Sequence, residues 1–121
     1  TPVEPHTVAS AIKIGNPASW TGALEARDAA GGVIERITDR QILDADSLLA
    51  SKEGVFVEPA SAISVAGVIA LHERGHFSPG DTIACILTGH GLKDPDRAIA
   101  EAPDPKVVPA DVDAIVGEIL S

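Results

Sequence analysis

The stretch that decides the fold reads Thr-Ile-Ala-Cys-Ile-Leu-Thr-Gly-His-Gly-Leu-Lys-Asp-Pro and occupies residues 82–95. Its first part is a continuous apolar run without alternation, which is typical of a parallel strand covered on both faces. The run predicts a strand over residues 82–88 that leads into a loop containing Gly89 and Gly91. Ligands of open α/β sheets bind at the carboxyl ends of strands. Thr88 therefore presents its hydroxyl at a candidate ligand position.

Upstream of this strand, helix signals alternate with short apolar runs. Asn16 followed by Pro17 is typical of a helix start, because Asn caps the helix and Pro is favoured at its first position. Gly31, the first of two consecutive glycines, predicts the end of that helix, which gives a helix over residues 16–29. A short apolar run then predicts a second strand over residues 33–37.

Two further helices are predicted in the middle of the chain. Thr38 and Gln41 have the spacing of a capping box at the start of one helix, and Gly54 predicts its end. Glu58 precedes a proline, which disfavours helical backbone at Glu58 and places that residue in a turn. The following residues, 60–74, are apolar on most sides and predict a largely buried helix.

This alternation predicts an α/β fold with parallel-sheet layers covered by helices. Residues 1–100 form the predicted α/β part, residues 101–109 a proline-rich linker, and residues 110–121 a terminal amphipathic helix. With a brief apolar extended segment at residues 55–57, only about three strands are predicted, which is few for a doubly wound domain. We expect such a count from a piece of a larger domain.

Composition and charge narrow the classes of function. The 121 residues include 9 basic and 18 acidic side chains, a formal net charge of −9. A negative field disfavours binding to nucleic acid and to anionic membrane surfaces, and no apolar stretch is long enough to predict a membrane span. The single Cys85 fits a reducing compartment, so a cytoplasmic protein is expected. The chain starts at Thr1 and contains no Met, which favours a processed chain or a piece of a longer one.

One string resembles a metal-binding motif without its structural context. His72-Glu73-Arg74-Gly75-His76 matches H-E-x-x-H, in which one unbroken helix presents both His residues to zinc. Gly75 predicts that the helix ends before His76. We therefore expect no metal site and no catalytic role at this position.

Three other candidates for chemistry have ordinary structural interpretations. Cys85 lies inside an apolar run, which favours an inert core thiol. Ser61 lacks the surroundings of a nucleophile elbow. Gly89 and Gly91 alone fall short of a dinucleotide-binding fingerprint.

Three stretches nevertheless resemble one family. They resemble the C-terminal part of threonine synthases and lie at residues 14–20 (Ile-Gly-Asn-Pro-Ala-Ser-Trp), residues 54–65 and residues 87–94 (Leu-Thr-Gly-His-Gly-Leu-Lys-Asp). These are pyridoxal-phosphate enzymes of the tryptophan-synthase-β-like fold (fold type II). The resemblance extends from about residue 7 to residue 95, in the family's order.

The resemblance implies a set of cofactor contacts. The residue corresponding to Thr88 hydrogen-bonds the pyridine nitrogen of the cofactor, and Gly89 lies next to it. Gly15 and Asn16 belong to a stretch that borders the ring, and Glu58 opens a helix near the ring nitrogen. A hydroxyl cannot neutralise a protonated pyridine as a carboxylate can, so Thr88 fits a ring nitrogen that stays largely unprotonated.

The resemblance also implies what the chain does not contain. The Schiff-base lysine and the loop that binds the cofactor phosphate belong to upstream segments of the family, and neither has a match here. The lysines in the sequence stand in other contexts and are predicted to be non-catalytic: Lys13, Lys52, Lys93 and Lys106. No catalytic residue is therefore predicted, and the chain alone is expected to be inactive.

The complete enzyme implied by this resemblance converts O-phosphohomoserine and water to L-threonine and phosphate. Its predicted partners are the missing N-terminal part, the substrate and a possible second copy in a homodimer. Two alternatives stay open: a threonine or serine dehydratase-like lyase of the same fold, and a non-catalytic small-molecule-binding α/β module.

Overall fold

The computed structural model describes residues 2–121, and the secondary structure of this part is helical. Within residues 2–121 five α-helices follow one another, at Trp20–Ala30 (α1), Asp39–Leu48 (α2), Pro59–Glu73 (α3), Pro95–Glu101 (α4) and Val112–Ile119 (α5). A π-helical turn at Leu49–Glu53 extends α2, and short 3-10 turns lie at Ser10–Ile12 and Gly91–Lys93.

The second helix starts and ends where the sequence predicts. The Thr38 hydroxyl accepts a hydrogen bond from the backbone N–H of Gln41, and the Gln41 side chain accepts one from the backbone N–H of Thr38, which completes the capping box. Gly54 adopts a φ of 65° after the π-helical turn. A left-handed conformation of this kind favours glycine, and it ends the helix.

The first helix begins later than predicted, at Trp20 with Ser19 as its N-cap residue. The predicted start at Asn16 and Pro17 is wrong. The carbonyl of Gly15 accepts a hydrogen bond from the Val3 N–H at 3.1 Å, so the backbone next to Asn16 is paired with the N-terminal segment. The predicted C-terminal signal is confirmed, since Gly31 follows the helix with a φ of 62°.

Helix α3 begins at Pro59, directly after the extended residue Glu58. Its first turn is completely buried, and burial continues along one side through Ala66 and Ala70. The prediction of a largely buried helix therefore holds for its N-terminal part, whereas Ile69 is exposed. The helix ends at Glu73 and Gly75 has a φ of 70°, so His76 lies beyond the helix, as predicted.

The predicted strands at 33–37 and 82–88 are not observed, and within residues 2–121 the parallel sheet is not confirmed. A strand requires a neighbouring strand that supplies ladder hydrogen bonds. In the described chain, one isolated antiparallel bridge joins Val57 to His90. Residues 82–88 consequently run without a ladder, and Ile86 is 70% exposed instead of being covered on both faces.

The hydrophobic core lies mainly between α2 and α3. Small and branched aliphatic side chains form it: Ala9, Ile42, Ala45, Leu49, Val57, Ala60, Ala62 and Ala66. Alanines on α3 allow α2 to pack closely against it. This packing fixes the N-terminal end of α3, which forms one wall of the candidate site.

The C-terminal region packs less closely. Residues 102–110 have no helix between α4 and α5. The apolar residues of α5 remain solvent-accessible, with Val112 at 73% and Ile119 at 75% exposure. Among residues 2–121, no helix has the length and apolar content needed to span a membrane.

Candidate functional site

The candidate site is centred on the buried hydroxyl of Ser61 in the first turn of α3, whose residue is 1% exposed. Its Oγ accepts a hydrogen bond from the backbone N–H of Gly89 at 2.6 Å. The same Oγ lies 3.2 Å from the carbonyl oxygen of Gly89 and 3.1 Å from the hydroxyl oxygen of Thr88. Ser61 thus binds the end of the 82–88 segment to α3.

Gly89 has no room for a side chain. A Cβ at this position would overlap Oε1 of Glu58, which is itself buried. The Gly89 carbonyl also accepts a hydrogen bond from the Glu58 N–H at 3.2 Å. Backbone and side chain of Glu58 therefore both lie against Gly89, and only glycine permits this approach.

The loop after Gly89 is held by the segment before α3. Gly91 donates a backbone hydrogen bond to the carbonyl of Phe56 at 3.3 Å, and a Cβ on Gly91 would overlap the Phe56 ring. The rings of Phe56 and His90 meet edge to face at 5.4 Å between centroids. Together with the Val57–His90 bridge, these contacts fix the loop relative to α3.

The electrostatics of the site are set by Glu58. Its side chain is 6% exposed, and Lys93 Nζ lies 3.9 Å from its Oε1. Lys93 follows the glycine loop in the 3-10 turn Gly91–Lys93 and remains largely exposed. A buried carboxylate is costly without a cation or hydrogen-bond donors, so Lys93 provides the compensating charge.

Thr88 is exposed to solvent, and its hydroxyl is held in place by the contact with Ser61. A hydroxyl has one proton and two lone pairs, so it can bond to Ser61 and to a ligand atom at the same time. The arrangement offers a neutral donor or acceptor beside the side-chain-free Gly89.

Gly15 and Asn16 lie in a different part of the structure. A Cβ on Gly15 would overlap the carbonyl oxygen of Val3, so Gly15 permits close backbone approach there. Within residues 2–121, no recorded hydrogen bond joins Gly15 or Asn16 to the Ser61 cluster. The N-terminal segment meets this region elsewhere, through Ala9 in the core with Ala60 and through a 2.8 Å hydrogen bond from the Ser10 hydroxyl to Asp94. The structure therefore brings together Glu58, Thr88 and Gly89. It does not join Gly15 and Asn16 to them by a hydrogen bond.

Ser61 is the site residue that sequence analysis missed. The sequence around Ser61 contains no nucleophile elbow, and the Ser61 hydroxyl instead bonds to the Gly89 backbone and the Thr88 hydroxyl. A usable signal exists in the sequence, because Ser61 and Ser64 stand three residues apart on an otherwise apolar helix. Both contact the same segment, since Ser64 Oγ donates to the carbonyl of Ile86 at 3.3 Å.

A cavity beside this cluster has the Phe56 ring as one of its lining residues. A cavity of about 430 Å³ between α2 and the end of α4 is lined partly by Asp46 and Glu101. Burial raises the pKa of Asp46, and the negative charge of Glu101 raises it further. Among residues 2–121, no group of three or more His, Cys, Asp or Glu side chains is arranged to hold a metal ion.

Comparison with known proteins identifies the family. Residues 1–89 match the family model of pyridoxal-phosphate dependent enzymes. The chain belongs to this family. The sequence-based resemblance to such enzymes is therefore confirmed.

Several relatives of about 50% identity are named threonine synthase. The chain is 50% identical to the threonine synthase of Halalkalibacterium halodurans over 117 residues, which are 96% of this chain and 33% of that protein. It is 48% identical to that of Mycobacterium leprae over 95% of the chain and 32% of the relative. For Methanocaldococcus jannaschii the identity is 49%, over 92% of the chain and 27% of the relative.

The chain spans about a third of the length of these curated relatives. The matched region is a C-terminal part of them. The residues at the candidate site fit the ring edge of the family's cofactor on two grounds. Thr88 presents an uncharged hydroxyl on an exposed residue, and the buried Ser61 hydroxyl holds that group from the protein side.

Proposed function

We propose that this chain is the C-terminal segment of a threonine synthase, which converts O-phosphohomoserine and water to L-threonine and phosphate. The observation that carries the proposal is the identity of about one half to threonine synthases over nearly the whole chain. In the complete enzyme the segment forms one wall of the cofactor site. Alone, it is inactive.

Pyridoxal phosphate, when bound, withdraws electrons from the substrate's α-carbon, which permits loss of the γ-phosphate and addition of water at the β-carbon. The Thr88 hydroxyl donates a hydrogen bond to the ring nitrogen without placing a negative charge there. This leaves the nitrogen largely unprotonated and moderates electron withdrawal. The hydroxyl of Ser61 supports Thr88, which it contacts at 3.1 Å.

Glu58 and Gly89 shape the remaining wall of the site. Gly89 keeps its backbone close to Glu58, whose carboxylate lies where a side chain of residue 89 would start. Glu58 is held by Lys93, so its carboxylate is compensated within this chain. Gly15 and Asn16 border the ring from the N-terminal segment in this proposal. No residue of this chain is assigned a covalent or proton-transfer step.

The complete enzyme supplies what this segment lacks. We assign the cofactor-binding lysine and the phosphate-binding loop to the remaining two-thirds of the protein. A strand from that part pairs with residues 82–88 and completes the parallel sheet, which covers the exposed Ile86. Residues 1–100 belong to the cofactor-binding domain, followed by the linker 101–109 and the helical segment 110–121. The enzyme is cytoplasmic and works as a homodimer in this proposal.

The experiment that tests this function compares products of the complete enzyme. Incubation with pyridoxal phosphate and O-phosphohomoserine should release threonine and phosphate in equal amounts. In a parallel incubation with threonine, a dehydratase would instead release 2-oxobutanoate and ammonia. A non-catalytic module would form neither set of products. Either of these results would refute the proposed function.

A further inference from the structure

The Ser61 hydroxyl has three hydrogen-bonding partners, of which Thr88 is one. Its Oγ carries one proton and two lone pairs. The Gly89 N–H occupies one lone pair at 2.6 Å. One proton and one lone pair remain, and two partners are in reach: the Gly89 carbonyl at 3.2 Å and the Thr88 hydroxyl at 3.1 Å.

Two proton arrangements satisfy this geometry. In the first, Ser61 donates to the Gly89 carbonyl and Thr88 donates to Ser61. In the second, Ser61 donates to Thr88 Oγ1, and the proton of Thr88 is free for another acceptor. The Gly89 carbonyl already accepts the N–H of Glu58 at 3.2 Å, so it remains bonded in the second arrangement.

We propose that Ser61 is a positioning residue that makes Thr88 a hydrogen-bond donor toward the cofactor's ring nitrogen. The inference rests on the proposed function. An unprotonated pyridine nitrogen only accepts, so it requires the second arrangement. Ser61 then donates to Thr88 while Thr88 donates to the ring. The burial of Ser61, at 1% exposure, removes water as a competing partner.

A chain of two hydroxyl hydrogen bonds also polarises its terminal donor. A hydroxyl that accepts a hydrogen bond donates more strongly, which makes the two bonds cooperative. Loss of Ser61 would therefore weaken the Thr88 contact even though Thr88 itself is unchanged. It would also free Thr88 to rotate away from the ring.

The chain contains a matched control for this role. Ser64 lies on the same helix and bonds to the carbonyls of Ser61 and Ile86 at 3.0 and 3.3 Å. It links α3 to the 82–88 segment as Ser61 does, without a recorded contact to Thr88 or Gly89. Ser64→Ala thus removes a similar structural bond and leaves the hydroxyl pair intact.

The test uses the complete enzyme loaded with pyridoxal phosphate whose ring nitrogen is isotope-labelled, and it measures the nitrogen NMR chemical shift and the cofactor Kd. Ser61→Ala should move the shift in the same direction as Thr88→Val and raise the Kd about tenfold or less. Ser64→Ala and Ser61→Thr should keep the wild-type shift. In the Thr88→Val background, Ser61→Ala should cause no additional shift.

A wild-type shift in Ser61→Ala, with a changed shift in Thr88→Val, would overturn the inference and leave the proposed function standing. An unchanged shift in Thr88→Val would refute the ring contact itself. If Ser61→Ala fails to fold, Ser61→Cys provides the same test, because a thiol of similar shape donates weakly. A wild-type shift in Ser61→Cys would likewise contradict the inference.

Discussion

The backbone N–H of Gly89 donates a 2.6 Å hydrogen bond to the buried hydroxyl of Ser61. This bond joins the end of an extended segment to the first turn of α3, across 28 positions of sequence. It places Thr88 next to Ser61 and the α-carbon of Gly89 against the Glu58 carboxylate. The proposed cofactor wall depends on this junction.

Gly89→Ala should destabilise the complete enzyme by about 1–3 kcal/mol, the usual cost of overpacking a close-packed site. The added methyl group would overlap Oε1 of Glu58, which is buried and has little freedom to move. Denaturant unfolding monitored by circular dichroism measures the change.

Gly22→Ala is the matched control for that substitution. Gly22 lies in α1 with no atom within 4 Å of an added Cβ. Alanine inside a helix is favoured over glycine by about 0.5–1 kcal/mol, so this variant should equal or exceed wild-type stability. Equal unfolding midpoints for Gly89→Ala and the wild type would refute the close approach to Glu58.

Asp46→Asn should raise stability at neutral pH. Burial, with a further contribution from Glu101, raises the pKa of Asp46 in the folded state. The folded protein therefore binds this proton more tightly than the unfolded chain, and stability falls as the pH rises through the folded-state pKa. Asparagine avoids this loss. Unfolding midpoints measured across a pH series should show a gain that disappears below the ordinary Asp value of 3.8.

The control for the Asp46 experiment is Asp44→Asn on the same helix. Asp44 is largely exposed and pairs with Arg40 at 2.9 Å. Exposed pairs of this spacing contribute about 0.3–0.5 kcal/mol, so this variant should show no gain. A lower midpoint for Asp46→Asn at neutral pH would contradict the assigned cost of ionising Asp46.

Thr38→Ala should destabilise α2 by about 0.5–2 kcal/mol, because it removes the hydroxyl of the capping box. Two bonds are lost: the one that the Thr38 hydroxyl accepts from the Gln41 N–H at 3.3 Å and the one that it donates to Gln41 Oε1 at 2.8 Å. Thr21→Ala, within α1, removes a threonine without a recorded hydrogen bond. Denaturant unfolding should separate the two variants, and equal midpoints would show that the cap contributes nothing.

The 121-residue chain by itself should self-associate. Large apolar side chains of this chain are exposed to solvent, including Trp20 at 56%, Ile86 at 70% and Leu120 at 80% exposure. Exposed apolar surface of this extent marks an unfilled interface. Light scattering over a concentration series measures the association. A strictly monomeric species with a sharp thermal transition would contradict the proposal that a larger protein covers this surface.

Local signals in the sequence predicted the helix ends well. The capping box at Thr38 and the left-handed glycines Gly31 and Gly54 depend on a few neighbouring residues, so the chain specifies them directly. The predicted start of α1 at Asn16 and Pro17 was wrong, and the backbone beside it is bonded to Val3 instead of continuing a helix. Such a contact between separate segments leaves no local pattern.

The predicted strands illustrate the same limit more strongly. The apolar run 82–88 predicts burial on both faces, but a strand also needs neighbours, and none within residues 2–121 forms a ladder with it. For the site, Thr88 was predicted from its place at the end of the apolar run and Glu58 from the motif resemblance, and the structure brings them together around Gly89. Ser61 was missed because its partners lie 27 and 28 residues away.

The central claim is that Thr88 contacts the cofactor's ring nitrogen, and Thr88→Val in the complete enzyme tests it most directly. Valine keeps the shape and removes the hydroxyl, whereas the control Thr88→Ser retains it. We expect Thr88→Val to weaken pyridoxal-phosphate binding about tenfold or less, as one hydrogen bond allows, and to lower threonine formation further. Thr88→Ser should preserve both. Wild-type cofactor affinity and turnover in Thr88→Val would contradict the account.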